Sequence, residues 1–356
     1  MINLDSLDEI KKLDEGDVLA SVQKLGDQFW QAWNEMKQVD IPEDYSKAKN
    51  VVVAGMGGSA LGGSIVDSFA HGRIRVPVEI FNEYHLPNYV NKNTLVIASS
   101  YSGNTEEAVA NIHEAHSLGA KVFAICAGGK LASFAKEKNI PMYLIDPVQN
   151  PSGQPRLALG YSLGSILSVL AGKEYIHLSD TEAVEIVETI KAQTVEYDVY
   201  NEEKQNPAKT FARKLVNTLP VLVASEHLVG AAHAFKNQLN ETAKTFAVLF
   251  SIPELNHHLL EGLAHPKKAK EILKFVFITS DLYTQRVQKR HEITKGVVEK
   301  NGVSTLTYAM RSKTKLNQAF ELLTFGSFVQ FYLAMLYEIN PAPVPWVDYF
   351  KKELAK

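Results

Sequence analysis

Short runs of β-branched and aromatic residues alternate with longer stretches whose apolar residues recur at helical spacing, and this alternation predicts most of the elements of the chain. The runs at 51–54, 76–81, 94–98, 121–126 and 142–145 read as strands. Between them, Leu61, Ile65 and Phe69 share one helical face, and so do Ala108, Ile112 and Ala115, with Gly119 as a stop. Alternation of this kind predicts a parallel sheet with helices on both faces. Pro147, Pro151, Gly153 and Pro155 then break the pattern, and helical segments at about 157–172 and 180–200 follow. A second alternation starts with a strand at 221–224 and Ser225 as an N-cap. The next helix, 226–244, carries Leu228, Ala232, Phe235 and Leu239 on one face. Strands at 245–250, 274–279 and 303–308 come after it, with a long helix between Asp281 and Gly302. The fold class is therefore α/β, with two parallel doubly wound sheets flanked by helices. The partition is a helical segment at 1–48, a first α/β unit at 49–150, a helical linker at 151–204, a second unit at 205–316, and a C-terminal helix and tail at 317–356. Phe29, Trp30 and Trp33 are available to dock the first segment on the body. The tail is expected to hold one long helix, an extended proline segment from Asn340 to Pro345, and a short charged end with Lys351 and Lys352.

Two of the strand-to-helix turns have unusual composition. The first, Gly-Met-Gly-Gly-Ser-Ala-Leu-Gly-Gly at 55–63, places Gly57, Gly58 and Ser59 where a helix begins. Free N–H groups and positive dipole density gather there, and glycine lets an anion approach the backbone. The second, Ser-Ser-Tyr-Ser-Gly-Asn-Thr at 99–105, offers the hydroxyls of Ser100, Ser102 and Thr105 near another helix start. Each alone is an ordinary tight turn with a hydroxyl cap. Two in neighbouring units suggest one phosphate held from two sides. The second half lacks such a serine-rich loop. One half would then bind phosphate while the other supplies chemistry at their interface, a common place for a ligand pocket.

Composition narrows the partners. The 356 residues are 46% hydrophobic, enough for a substantial core, and the net charge of −3 makes no electrostatic case for nucleic acid or an anionic membrane surface. Cys126 is the only cysteine and sits at the end of an apolar run, as a small core residue would. No zinc-ligand spacing is visible, so no metal is expected. The N-terminus has neither the basic start nor the apolar core of a signal peptide. The longest apolar stretch, 325–336, is too short and too polar to span a bilayer and reads as a buried helix. A soluble, cytoplasmic protein is expected. The Ala-Gly-Gly-Lys at 127–130 lacks the spaced glycines of a dinucleotide fingerprint and reads as a loop. His113 and His116 have no third ligand nearby and read as solvent-facing, and Lys267, Lys268 and Lys270 as a solvated face.

Proton-transfer chemistry has its own candidates. Glu241 closes the 226–244 helix within Asn-Glu-Thr-Ala-Lys. Ile-Pro-Glu-Leu-Asn-His-His at 252–258 follows a strand, at the end of the sheet where open-sheet enzymes place function. A carboxylate and an imidazole are the usual tools for moving protons between carbon and oxygen. By residue type alone, Glu241, His257, Arg156 and Lys351 read as solvated charges of helix ends, loops and a chain end, since charged loop residues are mostly solvated.

The string Ser-x-Ser-Gly-Asn-Thr-x-Glu at 100–107 resembles the sugar isomerase (SIS) domain family, whose members bind phosphosugars. The Pro-Arg at 155–156, Asn-Glu-x-x-Lys at 240–244, Pro-Glu-Leu-Asn-His at 253–257 and a C-terminal lysine extend the likeness. From about residue 45 to the end, their order and spacing are similar to the bifunctional phosphoglucose/phosphomannose isomerases, with tandem SIS domains. The resemblance implies phosphate binding by Gly57, Gly58, Ser59, Ser100, Ser102 and Thr105. It implies that Glu241 shuttles a proton between C1 and C2, with Arg156 beside the enediolate. His257 would assist ring opening from the partner subunit of a homodimer, and Lys351 would lie near the sugar ring. It implies no cofactor and no metal. The expected activity interconverts glucose 6-phosphate or mannose 6-phosphate with fructose 6-phosphate. A non-catalytic phosphosugar sensor and a SIS isomerase of another phosphosugar are the alternatives; intact Glu241, Arg156 and His257 argue against the sensor. The chain departs from the family pattern at His258 (asparagine expected), Ala234 (arginine expected) and Gln330 (a small hydroxyl residue expected).

Overall fold

The computed structural model describes residues 1–354 and 356. Three helices open the chain: α1 (Leu7–Leu13), α2 (Val18–Gln23) and α3 (Leu25–Glu35). The first sheet unit contains β1 (Asn50–Gly55), α4 (Gly57–Ala70), β2 (Val78–Phe81), β3 (Thr94–Ser99), α5 (Glu106–Ser117), β4 (Lys121–Cys126), α6 (Gly129–Glu137) and β5 (Met142–Leu144). Helices α7 (Leu159–Gly172), α8 (Asp180–Tyr197) and α9 (Pro207–Leu215) lead to the second unit. That unit contains β6 (Leu219–Ala224), α10 (Val229–Glu241), β7 (Val248–Ser251), α11 (Ala269–Ile272), β8 (Leu273–Thr279), α12 (Gln285–Lys300) and β9 (Ser304–Ala309). Helices α13 (Lys315–Leu336) and α14 (Pro345–Leu354) close the chain.

Both sheets are parallel throughout, with strand orders β2-β1-β3-β4-β5 and β7-β6-β8-β9. Alternate side chains of each strand serve opposite faces. Val51, Val53, Leu95 and Ile97 turn to a large central core, and Val52, Ala54, Val96 and Ala98 to an outer one under α5 and α6. The second sheet does the same, with Leu222 and Val276 inward and Val223 and Phe277 outward. Burial on both faces explains why these strands read as continuous apolar runs. The two inner faces share one core built around α13. Its apolar stretch is wholly buried, so the one helix among the described residues long and apolar enough to cross a membrane is a core helix here. Such a helix is apolar all round because protein surrounds it. Its one carboxylate, Glu321, is fully buried and accepts from the backbone N–H groups of Arg311 and Ser312.

Three sequence expectations need correction. The extended proline segment is expected to lead into a short charged end, but Pro345 opens α14. Proline suits a first helical turn because it has no N–H to lose there. Trp346, Val347, Tyr349, Phe350 and Leu354 recur at helical spacing along it, and all are exposed. Phe29 and Trp33 are buried as expected, four residues apart on one face of α3, but Trp30 is 37% exposed. The strand expected at 245–250 starts at Val248. Before it, Lys244 takes a left-handed backbone and Thr245 N–H returns to the Leu239 carbonyl, so this stretch terminates α10 instead.

In each sheet the order reverses between the two central strands. The loops after β1 and β3, and those after β6 and β8, therefore open crevices at the carboxyl ends of the strands. Contact between the units runs through α10 and α4, where Gly230 N–H donates to Ser68 Oγ at 2.8 Å. That packing holds the helix that ends in Glu241 against the helix that begins at Gly57.

Candidate active site

The crevice between β1 and β3 holds both unusual loops. Gly57 opens α4 with φ +49°, and Gly58 lies so close to Pro155 and Arg156 that an added Cβ would stand 3.3 Å from the Arg156 Cα. Ser59 Oγ accepts from Tyr101 N–H at 3.0 Å, which ties the first loop to the second. Ser100 is buried. Its hydroxyl donates to Thr105 Oγ1 at 2.9 Å and accepts from Gly103 N–H at 3.1 Å. It is thereby committed to shaping the loop, and Thr105 keeps its own hydroxyl proton. Ser102 is exposed and has no donor commitment among the described residues. Gly103 has φ +68°, and a Cβ there would meet the Gly128 carbonyl at 1.8 Å. The Gly128–Gly129 turn presses on the loop from behind, with Leu131 N–H bonded to the Gly103 carbonyl and Lys130 N–H to Asn104 Oδ1. The glycine pair that reads in sequence as a plain loop is thus the support of the hydroxyl loop.

Glu241 ends α10 beside this crevice. Burial pushes its carboxyl above the usual range, and Arg156, Lys244, Lys236 and Lys351 pull the other way. Arg156 is buried and held on several sides. Its Nε donates to Thr242 Oγ1 (3.1 Å), Nη1 to Gln154 Oε1 (2.8 Å), and Nη2 to the carbonyls of Pro341 (2.8 Å) and Ala342 (2.7 Å). A guanidinium has five N–H donors, so one on Nη1 remains for a ligand oxygen. Burial draws Arg156 below its ordinary value, with Glu241 and Asp348 opposing. Lys244 Nζ donates to the Glu241 carbonyl at 2.6 Å and to the Pro341 carbonyl at 3.3 Å. Burial, then the Arg156 charge, lower Lys244 to about 8. Lys236 is also lowered by burial, against the pull of Glu241.

The structure therefore brings together Glu241, Arg156 and the charge of Lys351 beside Gly57, Gly58 and Ser59. His257 is not joined to them. It ends a single helical turn, Glu254–His257, after β7, and it is exposed. Among the described residues no hydrogen bond or ion pair of the same chain reaches it. Its neighbours are pinned: Leu255 is fully buried, and Asn256 donates to Thr294 Oγ1 at 2.7 Å and accepts from Arg290 at 3.0 Å. His257 is presented outward on a fixed turn, whereas His258 is engaged by Glu254 at 2.8 Å. Ala234 and Gln330 are both fully buried in helix packing. Residue patterns gave no role to Gln154, Thr242 or Lys244. The available signal was adjacency, since each lies within three residues of Arg156 or Glu241.

Comparison with known proteins follows this geometry. Residues 44–150 match the SIS domain, and residues 204–354 match the bacterial phospho-glucose isomerase C-terminal SIS domain. A bifunctional phosphoglucose/phosphomannose isomerase of Caldicellulosiruptor bescii is 34% identical, across 94% of this chain and 98% of that protein. One of Aquifex aeolicus is 31% identical, across 91% and 96%. The crystal structure of a hypothetical protein from Thermus thermophilus superposes with a TM-score of 0.76 at 16% identity, covering 98% of this chain and 93% of that one, and shows the shared fold. With tandem SIS units and relatives of this identity across nearly its whole length, the chain belongs to the bifunctional phosphoglucose/phosphomannose isomerase family.

Proposed function

We propose that this protein interconverts glucose 6-phosphate or mannose 6-phosphate with fructose 6-phosphate, with Glu241 as the proton carrier. The observation that supports this most is a half-buried carboxylate within the electrostatic influence of a buried, multiply anchored guanidinium beside two anion-suited loops. Glu241 removes the C2 proton of the open-chain aldose, and the C–H electron pair moves through C1 to the carbonyl oxygen. The remaining Arg156 N–H stabilises the charge that develops there, at no cost in reorganisation because the group is already fixed. Glu241 then delivers the proton to C1 while the C2 hydroxyl proton passes to O1, so that O1 becomes a hydroxyl and C2 the carbonyl. Glucose and mannose differ only at C2, which is planar in the enediolate, so one base serves both.

Phosphate is assigned to Gly57, Gly58, Ser59, Ser102 and Thr105, with Ser100 as the residue that sets the loop. Ser102→Ala and Thr105→Ala are expected to raise KM far more than they lower kcat. Each removes a hydrogen bond to a charged group, worth on the order of 1.5–3 kcal/mol. Steady-state kinetics on both aldoses check this; unchanged KM in both variants removes the assignment.

Lys351 and His257 complete the proposed site, Lys351 near the sugar ring and His257 as the ring-opening residue of a second copy. A homodimer is supported by two features. His257 is outward-facing on a pinned turn, and α14 contributes no buried side chain while exposing Trp346, Tyr349 and Phe350. The decisive assay incubates purified, EDTA-treated protein with each hexose 6-phosphate and follows fructose 6-phosphate. Conversion of both supports the proposal. Tight binding without conversion of either favours a sensor.

The pH profile tests the base. Glu241 acts ionised, and burial raises its pKa, so the acidic limb of kcat/KM is expected above the ordinary glutamate range, with activity lost as pH falls through it. Lys244→Met removes a cation that favours the ionised form and should move that limb to higher pH. A limb that stays in place assigns it to another group.

A further inference from the structure

Asn150 lies in the segment that leaves β5, and none of the chemistry above uses it. It is 3% exposed, and its amide is fully engaged. Nδ2 donates to the Tyr101 hydroxyl at 3.0 Å and to the Gln154 carbonyl at 3.1 Å, and Oδ1 accepts from Ser152 Oγ at 3.0 Å. An amide nitrogen has two N–H donors, so both are spent. The Gln154 carbonyl only accepts, so it is the nitrogen that faces it.

These partners belong to different parts of the proposed site. Tyr101 stands inside the hydroxyl loop, where its N–H donates to Ser59 Oγ at 3.0 Å and its carbonyl accepts from Ala127 N–H at 2.9 Å. Gln154 holds Arg156 Nη1 through Oε1 at 2.8 Å. The turn from Asn150 to Gln154 is itself pinned. Gly153 N–H returns to the Asn150 carbonyl at 2.9 Å, and Ser152 N–H donates to Ser21 Oγ of α2 at 2.9 Å. On the far side, Gly58 packs directly on Pro155 and Arg156. Ser59, Tyr101, Asn150, Gln154, Arg156 and Gly58 therefore form a closed ring of contacts through both loops and the guanidinium. A phosphosugar held by its phosphate meets Arg156 at its other end. The loops follow β1 and β3, whereas Arg156 follows a linker broken by Pro147, Pro151 and Pro155 that belongs to no strand. The course of the chain fixes no distance between the two, and Asn150 supplies one.

We propose that Asn150 is a positioning residue for isomerisation: it sets the distance between the phosphate seat and Arg156, so that the bound sugar presents its C1 oxygen to the free Arg156 N–H. The inference rests on assigning phosphate to the two loops and the enediolate to Arg156. Steady-state kinetics with both aldose 6-phosphates, and competition by inorganic phosphate, test it. Asn150→Ala and Tyr101→Phe should each lower kcat by roughly ten- to a hundredfold, the scale of a small misplacement made away from the reacting atoms. The inhibition constant of inorganic phosphate should stay near native, because the loops keep their own donors. With C2-deuterated substrate the isotope effect on kcat should rise, since enolisation is the step that loses alignment. The two links lie in series, so Asn150→Ala/Tyr101→Phe should be no slower than Asn150→Ala, whereas independent contributions would multiply. Asn150→Asp keeps the volume and still accepts from the Tyr101 hydroxyl. It sets an oxygen against the Gln154 carbonyl, so it should be slow as well. Tyr101→Phe serves if the Asn150 variants unfold. Folded variants with native kcat, even at lowered Tm, overturn the inference and leave Asn150 a residue of linker stability. So does a loss of phosphate affinity that matches the loss of turnover, which reports a collapsed loop rather than a lost distance. A native protein that converts neither aldose counts instead against the activity itself.

Discussion

Glu241→Gln should cut turnover of both aldoses by roughly two to four orders of magnitude while phosphosugar affinity stays within a few-fold of native. The amide keeps the shape and fits the same space at the end of α10, but it accepts no proton. The cations around it remain in place, because Arg156 is held by Thr242, Gln154 and two carbonyls rather than by Glu241. Calorimetric binding of fructose 6-phosphate separates this outcome from a collapsed site. Exchange of the C2 proton with solvent should vanish together with turnover. Near-native turnover would return Glu241 to the role of a structural helix-end carboxylate.

A larger qualitative effect is expected from mixing two inactive proteins. His257→Ala should slow reaction of the closed sugar far more than of the open chain, since ring opening precedes the enediolate step. His258→Ala should be mild, because that side chain already serves Glu254 at the surface. If His257 acts across a dimer, mixing His257→Ala with Glu241→Gln protein should recover activity. Random exchange of equal amounts yields at most about a quarter of native activity, since half the dimers form with one complete site in each. Mixed dimers verified by mass that stay inactive would refute the shared site. A severe His258→Ala phenotype would transfer the role to the neighbouring histidine.

The architecture was largely legible in the residues. Strands buried on both faces must be apolar without interruption, so 51–54, 94–98, 121–126 and 274–279 stood out. Edge strands were less legible. The residues of β7 are only partly buried, and a helix terminus at Lys244 shortened the strand expected there. The tail departs from its pattern because a proline run reads as a continuous extended segment, whereas the last proline starts α14.

The candidate site divides along the same line. Sequence alone determined the short-range features: glycine and hydroxyl turns at helix starts, a carboxylate at a helix end, and the order of motifs that carried the family resemblance. These depend on neighbours along the chain, where spacing decides what a side chain can reach. Only the tertiary structure decided that Arg156 meets the carbonyls of Pro341 and Ala342, that the Gly128–Gly129 turn supports Gly103, and that Ser100 is spent on Thr105. Apart from Ser100 and Thr105, which share one loop, these pairings join groups from different strand ends or different units. Their geometry follows from sheet order and from the packing of α10 on α4, and no local periodicity encodes it.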